Sequence, residues 1–269
     1  MNIGFVGIGN MGGMLVRRLL HSRALAVENV WVANRSEGKL KALASEFPGI
    51  HVASARKLAA DCDLIFLCLK PGDASSALAQ MDPELYPGQL LVTTASQIPL
   101  QALEDRVPCR VAKLIPSITQ EIDAGVALLM YGSRATADDR KLLDDLLGCI
   151  SHPIVIAESQ SRPAISLASS GPAFVAYLLQ SMAEEAARSN PDFPPELALS
   201  LAQETATATL RLMAEGKMNP EEVIRRVALP GGMTAHGIEV LSRYVPQAWQ
   251  AVFRESAERE KRARETLAL

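Results

Sequence analysis

The sequence predicts an α/β fold, a doubly wound and mostly parallel sheet over the first half followed by an all-α region. Short, continuously apolar runs such as LIFLCL and LLVTT alternate with helical stretches, which suits strands covered by helices on both faces. A glycine-rich turn joins the first apolar run to the first helical stretch. After about Glu158 the strand-like runs stop, and long segments rich in Ala, Leu, Glu and Gln take over. This order of elements places a sheet domain at 1–157 and a helical domain at 158–269.

Taken in order, the expected strands are 2–6, 29–33, 51–53, 63–69, 89–94, 110–115, 126–131 and 153–157. The first helix of the second half starts near Ser170-Gly171-Pro172, with Phe174, Leu178 and Met182 at steps of four as its buried stripe. A second follows Pro194-Pro195 and ends before Gly216. Asn219-Pro220-Glu221-Glu222 opens a third, with a capping side chain, proline in the first turn and acidic residues at the positive end of the dipole. Pro230-Gly231-Gly232 then breaks the helical region, Thr234 restarts it, and a last helix begins around Pro246.

Composition narrows the function. The 269 residues, 48% of them hydrophobic, can bury a full core. The 27 basic and 30 acidic residues give a net charge of −3, without the basic excess that sequence-independent nucleic-acid binding needs. No cationic segment leads into an apolar one at the N-terminus and no apolar run reaches membrane-spanning length, so neither a signal peptide nor a span is expected, and the cytoplasm is the expected location. Cys62, Cys68, Cys109 and Cys149 lack CxxC pairing and read as buried free thiols; no metal site is expected.

The chemistry begins at Gly7-Ile8-Gly9-Asn10-Met11-Gly12, between strand and helix. Glycines in this order permit a tight turn, let a pyrophosphate approach the backbone and bring helix against strand, while the helix N-terminus offers free N–H groups. The pattern predicts a Rossmann-type dinucleotide site. At the end of the second strand stand Asn34-Arg35-Ser36, with no carboxylate to repel a 2′-phosphate and with a guanidinium and a hydroxyl to bind one. NADPH is therefore expected over NADH, the alternative being that Arg35 is a solvated turn residue. Cys68-Leu69-Lys70-Pro71 and Thr94-Ala95-Ser96 close the fourth and fifth strands, where ligands of open α/β sheets collect. Lys70 reads equally as a strand-terminal charge; the proline after it makes the local backbone extended, its carbonyls open to a nicotinamide.

GFVGIGNMG, NRS, LKP, SSGPA and PGGMT, in this order and at these spacings, resemble the pyrroline-5-carboxylate reductase family over essentially the whole chain. Within the family, VPCRVAKLIPSIT, ISHP and ASSGPAFVAYLL are most similar to its late-competence ComER-like branch. The resemblance implies a Rossmann domain with a helical dimerisation domain, a homodimer that can assemble further into a ring, and hydride transfer from NADPH to a cyclic imine, giving proline. It also implies that Gly232, Met233 and Thr234 bind the substrate carboxylate through N–H groups and the threonine hydroxyl, with Leu229 beside them; Thr234 also serves as a cap of its own helix. Glu158 matches a substrate-side glutamate and reads either as a partner of the ring nitrogen or as a surface carboxylate. Thr234 and Glu158 are thus the candidate catalytic residues.

Three departures bear on the substrate. Ile115-Pro116-Ser117-Ile118-Thr119 stands where the family usually has Met-Pro-Asn-Thr-Pro, Leu229 replaces the usual serine before Pro-Gly-Gly, and Ala55 replaces an asparagine. They keep open a reductase for another imine or keto acid and a cofactor-binding protein without turnover. The β-hydroxyacid dehydrogenases share the glycine motif but carry a catalytic lysine in the helical domain, and residues 170–188 contain none.

Overall fold

Strands form where the apolar runs lie: β1 (Ile3–Val6), β2 (Val30–Ala33), β3 (His51–Val52), β4 (Leu64–Leu67), β5 (Leu90–Thr93), β6 (Arg110–Ile115), β7 (Val126–Tyr131) and β8 (His152–Val155). The computed structural model describes residues 1–266. One sheet holds all eight strands in the order β3-β2-β1-β4-β5-β6-β7-β8. Every pairing is parallel except β6 with β7. The order reverses between β1 and β4, which opens a crevice at the carboxyl ends of these strands.

Seven helices cover this sheet: α1 (Asn10–His21), α2 (Glu37–Glu46), α3 (Ala55–Asp61), α4 (Pro71–Met81), α5 (Leu100–Glu104), α6 (Ala137–Gly148) and α7 (Ser161–Ala168). Alternate strand residues point to opposite faces. Ile3, Phe5, Phe66, Val92 and Leu114 pack with Leu15, Leu19, Leu43 and Leu147 of α1, α2 and α6. Val6, Ile65, Leu67, Leu91, Val111 and Ile115 pack with Leu58, Leu78, Leu103 and Ile165 of α3, α4, α5 and α7. The Phe5 and Phe66 rings stack with centroids 4.8 Å apart, and burying each such side chain stabilises the fold by about 1.5–3 kcal/mol.

Four helices follow: α8 (Gly171–Ser189), α9 (Pro195–Glu215), α10 (Pro220–Val227) and α11 (Met233–Thr266). The chain divides into two units, Met1–Ser170 with the segment from Ala257, and Gly171–Ser256. Asn219 caps α10 by accepting the Glu222 N–H at 2.9 Å. One helix, α11, runs through Pro246 where the sequence predicts two; an interior proline removes one backbone hydrogen bond but leaves the rest of the ladder available.

The expected buried stripe of α8 needs correction. Leu178 and Met182 are 47% and 55% exposed in the single chain, and the second unit buries Ala183, Ala198 and Ala202 with Leu179, Ala186 and Phe193 around them. Phe174 meets Trp249 edge-on at 5.9 Å. Tyr177, Leu201, Leu210 and Val240 are also exposed, more apolar surface than a soluble monomer ordinarily leaves uncovered. No helix among the described residues is long and apolar enough to cross a membrane.

The cysteines split. Cys62 and Cys109 are buried, Cys68 is partly so, and Cys149 is exposed, against the expectation that all four are buried. Burial pushes the Cys62 and Cys68 thiols up to about 12 and the Cys109 thiol to about 11. Near pH 8 these three are thiolates in at most about one molecule in a thousand. Iodoacetamide under native conditions is expected to modify Cys149 alone, as intact-mass analysis will read, and all four after denaturation.

Candidate functional site

The glycine loop sits at the carboxyl end of β1, and its three glycines have different reasons to be glycine. Gly7 has φ +94°, and a Cβ there would lie 2.6 Å from the Cys68 carbonyl oxygen. At Gly12 a Cβ would lie 2.0 Å from the Gly7 oxygen. Both are required by the turn itself. Gly9 has φ −69° and ψ −159° and caps α1, yet a Cβ on it would meet nothing within 4 Å. The protein's own packing leaves that space clear, in front of the first N–H groups of α1, which have no partner inside the helix. This cradle suits a pyrophosphate.

Asn34 ties the loop to the end of β2. Its Oδ1 accepts the Ile8 N–H at 3.1 Å, and its Nδ2 donates to the Ser36 carbonyl at 3.2 Å. Arg35 is 92% exposed, with only a long 3.5 Å contact to Asp73 of α4, an exposed pairing worth about 0–1 kcal/mol. Its guanidinium is therefore available to an anion. Beside Gly9 and Asn10 a cavity of about 210 Å³ is lined by Arg17 and Lys39 among others; Arg17 is held by Glu46 at 2.7 Å. Lys39, three residues beyond Ser36, is a second cation near this turn that sequence reading passed over. Its signal was its position in the first turn of a helix after a phosphate-type turn.

Cys68 and Thr94 meet across β4 and β5: a side-chain hydrogen bond with Thr94 lowers the thiol pKa against the larger effect of burial. The Lys70 backbone is extended, φ −66° and ψ 153°, with Pro71 opening α4. Its carbonyl accepts the Ala74 N–H at 2.9 Å, so it serves the helix instead of standing open.

The sequence also passed over Lys113, in β6, whose side chain is 0% exposed. Its Nζ lies 2.6 Å from Glu158 Oε1 and donates to the Ser96 carbonyl at 3.2 Å. The same Glu158 oxygen accepts the Leu100 N–H at 3.0 Å. A lysine inside the apolar run RVAKLI was the available signal, since a buried ammonium needs a partner. Glu158 is thus an ion-pair partner, neither a free surface carboxylate nor an unengaged one. Ser117 is buried; its N–H donates to Gln120 Oε1 and its hydroxyl accepts from Thr119.

In the second unit, Gly231 takes φ +75° and the Gly232 N–H donates to the Leu229 carbonyl at 2.9 Å. This turn ends the chain segment after α10 and starts α11 at Met233. The first N–H groups of α11 and the exposed Thr234 hydroxyl lie together at the positive end of the dipole. Met233 and Leu229 are exposed. His236 is an exposed helix-surface residue 3.6 Å from Glu239.

Two family models match successive parts of the chain. Residues 158–263 match the family described as pyrroline-5-carboxylate reductase dimerisation, and residues 2–97 the one described as NADP oxidoreductase coenzyme F420-dependent. The chain is 32% identical over 254 residues to ComE operon protein 4 of Bacillus subtilis, covering 94% of this chain and 93% of that protein. It is 30% identical over 252 residues to pyrroline-5-carboxylate reductase 3 of the same organism, covering 93% and 92%. The crystal structure of Plasmodium falciparum pyrroline carboxylate reductase with NADP bound has the same fold, with a TM-score of 0.82 at 19% identity, covering 100% of this chain and 98% of that one. The Coxiella burnetii reductase gives 0.84 at 22% identity, with the same coverage.

Proposed function

The chain belongs to the pyrroline-5-carboxylate reductase family, and from that premise we propose that it is a cytoplasmic, homodimeric oxidoreductase that uses NADPH to reduce pyrroline-5-carboxylate to L-proline. The observation that carries the cofactor half is the clear space at Gly9 above the N-terminus of α1, a glycine that the turn does not need and a pyrophosphate does. Within residues 7–12 the N–H groups at the start of α1 hold the pyrophosphate, those of Gly7 and Ile8 being spent on the Ala33 carbonyl and on Asn34 Oδ1, and Asn34, Arg35 and Ser36 hold the ribose with its 2′-phosphate. Residues 68–71 and 94–96, at the carboxyl ends of β4 and β5, border the nicotinamide.

When bound, NADPH supplies the hydride that reduces the imine carbon. A protonated iminium accepts hydride readily, so the chain has mainly to orient the ring and exclude water. The substrate carboxylate is taken by the N–H groups of Met233 and Thr234 and by the Thr234 hydroxyl, with the positive end of α11 behind them, while Gly232, whose N–H is spent on the Leu229 carbonyl, shapes the turn that presents them. Leu229 offers a methyl-rich side chain where a serine would add one hydroxyl, a loss of about 0.5–1.5 kcal/mol.

The test is oxidation of NADPH by the purified protein with pyrroline-5-carboxylate, alongside NADPH binding followed by fluorescence. Turnover supports the reading; tight NADPH binding without turnover removes it. That second result fits another imine or keto acid, favoured by Leu229 and Ser117, or a non-catalytic protein linked to competence, favoured by the likeness to ComE operon protein 4.

Arg35→Asp is expected to weaken NADPH about 10- to 100-fold and NADH by much less, since one charge-assisted contact to the 2′-phosphate is lost. Equal dissociation constants for NADPH in the two proteins would remove the assignment. The apolar faces of α8, α9 and α11 form the subunit interface: light scattering is expected to give at least twice the 28.9 kDa chain mass, and Leu210→Asp to return the monomer. A wild-type monomer at micromolar concentration rejects the dimer.

A further inference from the structure

The 94–100 connection, between β5 and α5, is tied at Ser96 and at Leu100 by one ion pair whose lysine is fully buried and whose glutamate is half-buried. Lys113 Nζ takes the Ser96 carbonyl at 3.2 Å, Glu158 Oε1 takes the Leu100 N–H at 3.0 Å, and the two charged groups meet at 2.6 Å. The neighbours of Ser96 have other anchors, with the Thr94 N–H donating to the Leu67 carbonyl, the Ala95 N–H to Thr93 Oγ1, the Ile98 N–H to the Ala95 carbonyl, and Ala95, Ile98 and Leu100 packed in the apolar core, whereas the Ser96 carbonyl is held by Lys113. Lys113 shares its sheet face with Val111 and Ile115 in an apolar layer, where an apolar side chain of similar length would pack without desolvating a charge. The fold therefore does not call for a lysine here. The shape of the connection does, because an ammonium can grip a carbonyl and a carboxylate together.

We propose that Lys113 and Glu158 are a positioning pair that holds residues 94–96 in the form that receives the nicotinamide end of NADPH, so that Glu158 serves the site through this connection. The proposal rests on the cofactor reading above and deepens it. An ordered receiving surface spares the loss of loop freedom on binding. Removing the pair then weakens contacts to the nicotinamide half and leaves those to the adenosine half.

Two ligands separate the halves: NADPH, and adenosine 2′,5′-bisphosphate, which lacks the nicotinamide. In Lys113→Met, NADPH is expected to bind about tenfold more weakly while the bisphosphate changes less than about twofold, because only one end of the site is disordered. Lys113→Arg keeps a cation and is expected to retain NADPH affinity within about threefold. Should Lys113→Met fold poorly, the double variant Lys113→Met/Glu158→Gln removes both charges while keeping an acceptor for Leu100, and the same split is expected. Equal weakening of both ligands is general loosening and overturns the proposal, as does unchanged NADPH affinity. A wild-type protein that binds no NADPH overturns the proposed function and this inference with it; a wild type that binds NADPH without the split overturns this inference alone.

Discussion

Thr234→Ala will lower kcat/KM for pyrroline-5-carboxylate about 10- to 100-fold, the loss expected when one hydrogen bond to a charged carboxylate, about 1.5–3 kcal/mol, disappears. The side chain is exposed at the start of α11, so its truncation touches no core packing. Thr234 lies inside the first turn of α11, which begins at Met233, and so is not its N-cap; stability is expected to change by no more than about 0.5 kcal/mol. Thr234→Ser keeps the oxygen and is expected to retain most of the activity, and NADPH affinity should be unchanged in both. Oxidation rates equal to wild type in Thr234→Ala, at limiting substrate, would remove the carboxylate site from this turn.

The second large effect separates two glycines of one motif. Gly9→Asp places a good capping residue at the N-terminus of α1, where an added Cβ meets nothing within 4 Å beyond its chain neighbours. Thermal stability is expected to hold or rise. The same carboxylate occupies the pyrophosphate cradle, and two like charges about 4 Å apart near a protein surface repel by about 4 kcal/mol, so NADPH affinity should fall at least about 100-fold. Gly12→Ala is the reverse case. Its Cβ would stand 2.0 Å from the Gly7 oxygen, and relieving that overlap is expected to cost about 3 kcal/mol or more of stability. Melting curves and NADPH titrations read both. A Gly9→Asp protein that still binds NADPH at wild-type affinity would mean that the cofactor does not use this helix terminus.

Much of the fold was legible because it is written locally. All eight strands, β1 to β8, fall within one or two residues of the segments that predict them; β1, β4 and β5 are buried at every position, and a strand buried on both faces needs nothing more than an unbroken apolar segment, whereas β3 and β8 lie exposed at the sheet edges. The glycine motif was legible for the same reason, since a tight turn acts through adjacent residues. The Phe174, Leu178 and Met182 stripe was read correctly as apolar and wrongly as buried in the chain. Periodicity says which residues avoid water, and only the packing of helices says what covers them. The continuous α11 was missed because proline is a strong local breaker whose effect the surrounding helix overrides.

Sequence alone determined the class of this protein, its two-part order and the motifs at which a dinucleotide and an anion are expected, because each depends on residues a few positions apart. The tertiary structure alone decided which glycine leaves open space, that Asn34 carries the Ile8 N–H, and that Glu158 is spent on Lys113, 45 residues earlier in the chain. Such pairings depend on sheet order and register, which bring together atoms whose separation along the chain carries no periodic signal.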